Sequence, residues 1–189
     1  MRKKTVFLAA IAVMLAAIAA VGASLAYFTD QKTAQNIFTI GSVKIALTEP
    51  GWTDGAKLLP GVPAAKDPVV TNTGLAPCLV RVQVQWPQGA ALSYRTDGET
   101  GKLGDGWLDG GDGYFYYATP LAPDAATDAL FDEVVLSADT ENGDGETTYT
   151  VTVTAYAVQA QGVLPEGVSR IDAASLPAVQ AFFNAAFAA

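Results

Sequence analysis

Val80-Arg81-Val82-Gln83-Val84-Gln85-Trp86, stopped by Pro87, reads apolar and polar in strict turn. Successive side chains of a strand point to opposite faces, so this segment is a half-buried strand, and Pro87 ends it by lacking a ladder N–H. The same period runs through residues 148–155, where Tyr149, Val151, Val153 and Ala155 alternate with four threonines. Branching at Cβ suits those threonines to a solvated pleat. Val43, Ile45 and Leu47 alternate with Ser42, Lys44 and Ala46 until Glu49-Pro50-Gly51 closes the run. Further strands are expected at residues 67–72, 92–95, 113–118 and 130–137, making roughly seven to nine in all. Gly104-Asp105-Gly106, Asp109-Gly110-Gly111-Asp112-Gly113 and Asn142-Gly143-Asp144-Gly145 supply residues that tolerate the positive φ of hairpin turns. The fold expected over residues 39–170 is mainly β, a jelly-roll-like two-sheet antiparallel sandwich.

From Ile171 the period changes. Asp172 is expected to cap a short C-terminal helix within 171–189, with Pro177 in its first turn or just before it. Leu176, Val179, Phe182, Phe183, Ala186 and Phe187 fall near helical spacing. So apolar a helix is expected to dock on the sandwich or on a neighbouring chain, and it is too short and Ala-rich for a bilayer span.

The other end carries a cationic start, Arg2-Lys3-Lys4, an uncharged apolar run from Val6 to Val21, and the small-x-small site Ser24-Leu25-Ala26. That is a secretory signal peptide over residues 1–26, with cleavage expected between Ala26 and Tyr27 and no membrane span left afterwards. The rival reading is a retained membrane anchor, because the run with its flanks approaches the roughly 20 residues that cross a bilayer. Cleavage removes three of the eleven basic residues and no acidic one, leaving eight against nineteen, a net charge of −11. Such a chain repels nucleic acid and anionic membranes and stays soluble outside the cell. Cys78 is the only cysteine, so no internal disulfide forms, and its expected role is that of a small apolar residue at a strand start.

Catalysis finds little support. There is no histidine, which removes Ser-His-Asp and Cys-His machinery and histidine-containing zinc sites. Asp132 and Glu133 are adjacent, and adjacent strand residues point to opposite faces, so they make no acid/base pair. No Gly-rich loop leads into a helix with a following Lys, which leaves no phosphate cradle. The expectation is a protein that is not an enzyme and holds no cofactor. Calcium is the one ion with a candidate: Asp139, Glu141, Asp144 and Glu146 crowd together, and hard cations bind oxygen clusters. Their spacing departs from the twelve-residue calcium loop, and a solvated hairpin tip explains the same letters; residues 105–112 are a weaker candidate.

Several stretches resemble the TasA/camelysin-type secreted proteins of Gram-positive bacteria, which are exported through a dedicated SipW-type signal peptidase. They are Ala26-Tyr27-Phe28-Thr29-Asp30, Asn36-Ile37-Phe38-Thr39-Ile40-Gly41-Ser42-Val43-Lys44-Ile45, Leu47-Thr48-Glu49-Pro50 with Trp52, and Leu59-Pro60-Gly61. Lys66-Asp67-Pro68-Val69-Val70-Thr71-Asn72-Thr73-Gly74, Leu79-Val80-Arg81-Val82, Tyr114-Phe115-Tyr116-Tyr117 and residues 155–162 continue the likeness. The resemblance implies a jelly-roll-like domain outside the cell, in a family whose members polymerise into biofilm matrix fibres or serve as accessory subunits. It further implies that the segment after the signal peptide becomes a strand donated to the next subunit. The partners expected are copies of this chain or a related matrix protein, with the signal peptidase acting during export.

On that reading Tyr27–Phe38 is the polymerising segment, and Tyr27, Phe28, Ile37 and Phe38 offer apolar groups for pockets along an open sheet edge. The alternative is that the segment folds back as an edge strand of its own subunit. A monomeric adhesin displaying Trp107 and Tyr114–Tyr117 is a second reading. A peptidase, as camelysin-type relatives have been classed, is a third that the missing histidine opposes. Ser175-Leu176-Pro177-Ala178 lacks the remainder of a sortase signal, so covalent wall anchoring is disfavoured.

Overall fold

The structure, a computed structural model, describes residues 42–53, 58–140, 149–164 and 169–188, all within the unit Ile40–Ala189. Their strands are β1 (Ile45–Thr48), β2 (Pro63–Ala65), β3 (Val69–Asn72), β4 (Cys78–Gln85), β5 (Leu92–Thr96), β6 (Glu99–Thr100), β7 (Trp107–Asp109), β8 (Phe115–Tyr117), β9 (Glu133–Leu136) and β10 (Thr152–Gln159), followed by one helix, α1 (Leu176–Ala186). The chain is mainly β, with three antiparallel sheets: β1-β3, β10-β4-β8-β7 and β2-β9-β5-β6.

The alternating segments become the two longest strands. β4 and β10 pair in full register, Cys78 opposite Gln159 at one end and Gln85 opposite Thr152 at the other. Cys78, Val80 and Val82 of β4 enter one core cluster with Val70, Trp107, Leu121, Leu130, Phe131 and Val134, and Val153, Ala155 and Ala157 of β10 pack against it. Tyr94 of β5, Phe131 and Phe115 of β8 continue this core as ring contacts at 5.5 and 6.0 Å, joining the two four-stranded sheets. The two strands expected near β10 and β8 begin later than their sequence patterns: Tyr149 and Val151 precede β10, and the short β2, β6 and β7 have no pattern long enough to announce them.

The outer face of β4 corrects a sequence expectation. Arg81 falls on the polar side of the alternation yet is 2% exposed. Its face is covered by a second cluster in which Leu79, Tyr116 and Val158 meet Val163, Ile171, Val179 and Phe183. The helix that supplies Val179 and Phe183 lies about a hundred residues further along the chain, so nothing in the local alternation announces the cover.

The helix itself begins later than Asp172 would have it. Ser175 is its N-cap, without a side-chain cap bond, and Pro177 occupies the first turn. Asp172 instead ties the preceding turn, its Oδ1 accepting from the Ser175 N–H at 2.8 Å, the Ser175 hydroxyl at 2.7 Å and the Ala174 N–H at 3.1 Å. Those bonds, the Ser175 hydroxyl foremost, hold the Asp172 carboxyl below its usual range. Val179 and Phe183 are buried while Phe182 and Phe187 stay exposed, so the docked stripe is narrower than the apolar spacing suggested. Among the described residues no helix is long and apolar enough to cross a membrane.

β3 is anchored by Asn72, which is fully buried. Its Nδ2 donates to the carbonyls of Ala76 and Leu121, both at 2.9 Å, and its Oδ1 accepts from the Gly74 N–H at 2.9 Å. A Cβ on Gly74 would run into the Ser42 carbonyl oxygen and the Lys44 amide. The Asn-Thr-Gly letters thus close the end of β3 onto the residues that lead into β1.

Candidate functional site

Six of the ten strands lie at a sheet boundary, and most of those boundaries are blunted. β2 has three residues and begins with Pro63; β6 has two, one of them Glu99; β7 has three and ends at Asp109. Short length, proline and charge are the usual protections of an edge. The outer side of β3 is covered by residues 124–127: Asn72 N–H donates to the Ala125 carbonyl, Thr127 N–H to the Val70 carbonyl and Asp124 N–H to the Asn72 carbonyl, each at 2.9 Å. Val70 N–H also reaches the Thr127 hydroxyl at 3.0 Å.

β10 has none of these protections, and β1 has only its four-residue length. Neither carries a charged residue or a proline, β10 is eight residues long, and each has a ladder partner on one side only among the described residues. The two strands approach within 8 Å, Cα to Cα, without sharing a ladder. A cleft of about 330 Å³ opens where the end of β1 meets the start of β10, lined by Leu47, Thr48, Glu49, Trp52, Lys66, Val151 and Val153.

One wall of this cleft is fixed by charge. The Lys66 ammonium sits 2.8 Å from Glu49 Oε1, its side chain only 6% exposed, and 4.9 Å from the centre of the Trp52 ring. Both Asp67 oxygens accept the Gly51 N–H, at 2.7 and 2.9 Å. The turn after β1 is therefore clamped to the residues that lead into β3. A partly buried ion pair of this kind contributes little net stability but resists removal of either partner. The pairing spans seventeen positions and left no local signal in the sequence.

The second feature of the site is a cage on the outer face. Tyr156 of β10 stands opposite Arg81 of β4, Arg81 opposite Tyr116 of β8, and Tyr116 opposite Leu108 of β7. The Arg81 guanidinium lies 3.9 Å from the Tyr114 ring centre, 4.9 Å from Phe183, 5.3 Å from Tyr156 and 5.8 Å from Phe187. Its Nη1 donates to Asn184 Oδ1 at 2.8 Å, and the Tyr116 hydroxyl donates to Asp112 Oδ2 at 2.8 Å. Arg81 Nε has no acceptor. Facing rings replace the water that a guanidinium would otherwise hold, a favourable exchange for a weakly hydrated cation. Burial, with the Asp112 bond and charge, pushes the Tyr116 hydroxyl up to about 12.

The residues singled out by sequence are distributed as follows. Ala26, Tyr27, Phe28, Ile37 and Phe38 lie outside the described residues, as do Glu141, Asp144 and Glu146. Asp139 is exposed in a turn, where its N–H donates to the Ser137 hydroxyl at 3.3 Å. In the β7–β8 turn, Asp109 Oδ1 accepts the Gly111 N–H and Asp112 Oδ1 the Tyr114 N–H, so these carboxylates hold the chain reversal. Among the described residues no three His, Cys, Asp or Glu side chains form a group able to hold a metal. The aromatics considered for display are inside or half-buried: Trp107 donates its Nε1–H to the Asp128 carbonyl at 2.9 Å, and Tyr116 is fully covered. Cys78 opens β4, fully buried, and burial pushes its thiol up to about 11, which leaves it protonated and inert at neutral pH.

No protein-family model matches the chain, and no curated protein matches it.

Proposed function

We propose that this chain is a secreted structural subunit that assembles outside the cell by β-strand addition. After cleavage between Ala26 and Tyr27, the segment Tyr27–Phe38 of one copy, or of a related matrix protein, occupies the unpaired edges of β1 and β10 of the next. The observation that carries this reading is the contrast among edges: β1 and β10 alone combine an uncharged, proline-free strand with an unpaired side among the described residues. Exposed N–H and C=O groups on such an edge are a template for another chain.

The finer architecture follows from the same step. A strand bonded to both edges joins β1-β3 to β10-β4-β8-β7, and the chain becomes a two-sheet, jelly-roll-like sandwich with β2-β9-β5-β6 as its second sheet. Adjacent strands lie about 4.8 Å apart, so a guest needs walls roughly 9.6 Å from one another. An approach closer than 8 Å has to widen by at least about 2 Å.

Negative-stain microscopy of residues 27–189, beside residues 39–189, tests the reading. Fibres from the longer chain alone are expected. If both chains remain folded monomers at high concentration, self-assembly by this segment is excluded, and strand addition must then involve a different matrix protein.

A further inference from the structure

Resting on that reading, we infer that the second half of the β10 edge selects a guest that is apolar on both of its faces, and that Phe187, the C-cap residue of α1, builds one of the two walls. An ordinary edge strand is dry on one face and wet on the other, and it accepts an alternating guest. β10 differs because both faces are covered along its second half, Ala155 to Val158, while on the outer face of its first half Thr152 is exposed and Thr154 half-buried. On the inner face Val153, Ala155 and Ala157 lean on the core. On the outer face Tyr156 and Val158 belong to the second cluster.

The helix reaches this edge by crossing the sheet. Near its start Gln180 Nε2 donates to the Gly110 carbonyl at 2.8 Å, beside β7. In its middle Phe183 meets Tyr116 of β8 edge-on at 5.8 Å, and Asn184 takes the bond from Arg81 of β4. At its end Phe187 meets Tyr156 of β10 edge-on at 5.0 Å. Phe187 remains 44% exposed although one side of its ring is packed. A strand laid along β10 would place its outward side chains beside Tyr156 and Phe187 and its inward ones beside Ala155 and Ala157. Strands buried on both faces read as continuous apolar runs. The segment Tyr27–Phe38 is apolar at its two ends, Tyr27-Phe28 and Ile37-Phe38, and polar between them with Asp30 and Lys32, so it is an end pair, with one ring or branched chain on either face, that would meet this stretch of β10.

The probe is a fluorescent synthetic peptide of residues 27–38, titrated into the whole mature chain by anisotropy below the concentration at which the chain assembles. The inference expects Ile37→Ser and Phe38→Ser peptides both to bind at least about tenfold more weakly, and Phe187→Ser in the chain to do the same for the unaltered peptide. Phe182→Ser is the control: it lies on the same helix at 39% exposure, and it is expected to leave binding within about twofold with the same circular dichroism and melting temperature as Phe187→Ser. If only one of the two peptide positions matters and Phe187→Ser binds normally, the guest is read on one face and the inference fails while strand addition stands. Equal losses from Phe182→Ser and Phe187→Ser also overturn it. Absence of any binding by the unaltered peptide removes the inference and, with it, assembly of this chain through its own Tyr27–Phe38 segment.

Discussion

The sheet β10-β4-β8-β7 ends in two unlike ways. At one side β7 is three residues long, terminates at Asp109 and turns at once through Asp109-Gly110-Gly111-Asp112-Gly113, with Gly111 and Gly113 at φ +68° and +87°. At the other side β10 runs for eight residues without a charge. A guest on β7 would gain at most a short ladder beside carboxylates, whereas one on β10 would gain a long ladder with apolar walls along the strand's second half. A sheet can thus be protected on one boundary and receptive on the other, and the difference lies in strand length and charge rather than in core composition.

That comparison requires a sheet whose interior is sound, and Phe183 is where it breaks most severely. Phe183 is fully buried and links the helix to Tyr116 and Arg81 in the middle of the sheet. Phe183→Ala is expected to cost about 3–5 kcal/mol by lost transfer energy and the cavity left behind. Urea denaturation reads the loss directly. In hydrogen exchange, amides of β10 should lose protection before those of β8, since β10 lies at the sheet boundary while β8 is held between β4 and β7. Uniform loss along the sheet would count against that difference.

Alkali attacks the same interior from both faces. Cys78 lies on the inner face with its thiol raised from 9.0 to about 11, and Tyr116 on the outer face with its hydroxyl raised from 10.0 to about 12. Both pKa values are higher in the folded state, so the protonated forms favour folding. Their contribution is complete below pH 9 and is lost as pH rises from 9 towards 12. Each is worth about 3 kcal/mol at the end of its titration. The urea midpoint should therefore fall steeply above pH 9, and Cys78→Ala should flatten the fall between pH 9 and 11. A midpoint constant to pH 11.5 would contradict the burial of both groups.

Much of this interior was legible. Period-two alternation located β1, β4 and β10 because each has at least one dry face over several residues. The final helix was legible from its apolar spacing, and Cys78 from its place at a strand start. Arg81 misled because an alternating apolar and polar run implies a wet face, and only a helix brought in from residues 176–186 makes that face dry. Asp172 misled because its carboxylate serves a turn one step before the helix. Which strands become edges is not a local property at all: it follows from sheet order, and β1 and β10 carry the same kind of alternation as strands in the interior.

The wall of the cleft offers a smaller perturbation. Lys66→Met leaves Glu49, whose side chain is 22% exposed, partly desolvated and without its cation. Partial exposure discounts the penalty of a broken buried pair to about 2 kcal/mol. Pairing Lys66→Met with Glu49→Gln should recover part of it, because two neutral groups leave no stranded charge. If β1 owes its position against β3 to this clamp, the single variant should also lower the affinity for a guest strand while β10 keeps its exchange protection. Equal loss at β1 and β10 would mean the cleft walls are not independent.

The sharpest test of the two boundaries has the smallest effect on the fold. Thr154 is half-buried on the outer face of β10, and Asp109 is exposed at the end of β7. Thr154→Lys gives the receptive edge the charge that protected edges carry, and Asp109→Ala takes a charge from the protected one. Each is expected to change stability by about 0.5 kcal/mol, Asp109→Ala by slightly more because it also loses the bond to the Gly111 N–H at 2.9 Å. Their effects on assembly should diverge. Thr154→Lys should raise the concentration needed for fibres at least about tenfold, since a buried ammonium beside Tyr156 and Phe187 offsets the apolar gain of the guest. Asp109→Ala should leave that concentration unchanged, because a three-residue strand offers too short a ladder whatever its charge. Sedimentation of both variants across a concentration series decides the matter: equal behaviour would mean that neither boundary of this sheet receives a strand, and the receptive edge would have to be sought on β1 alone.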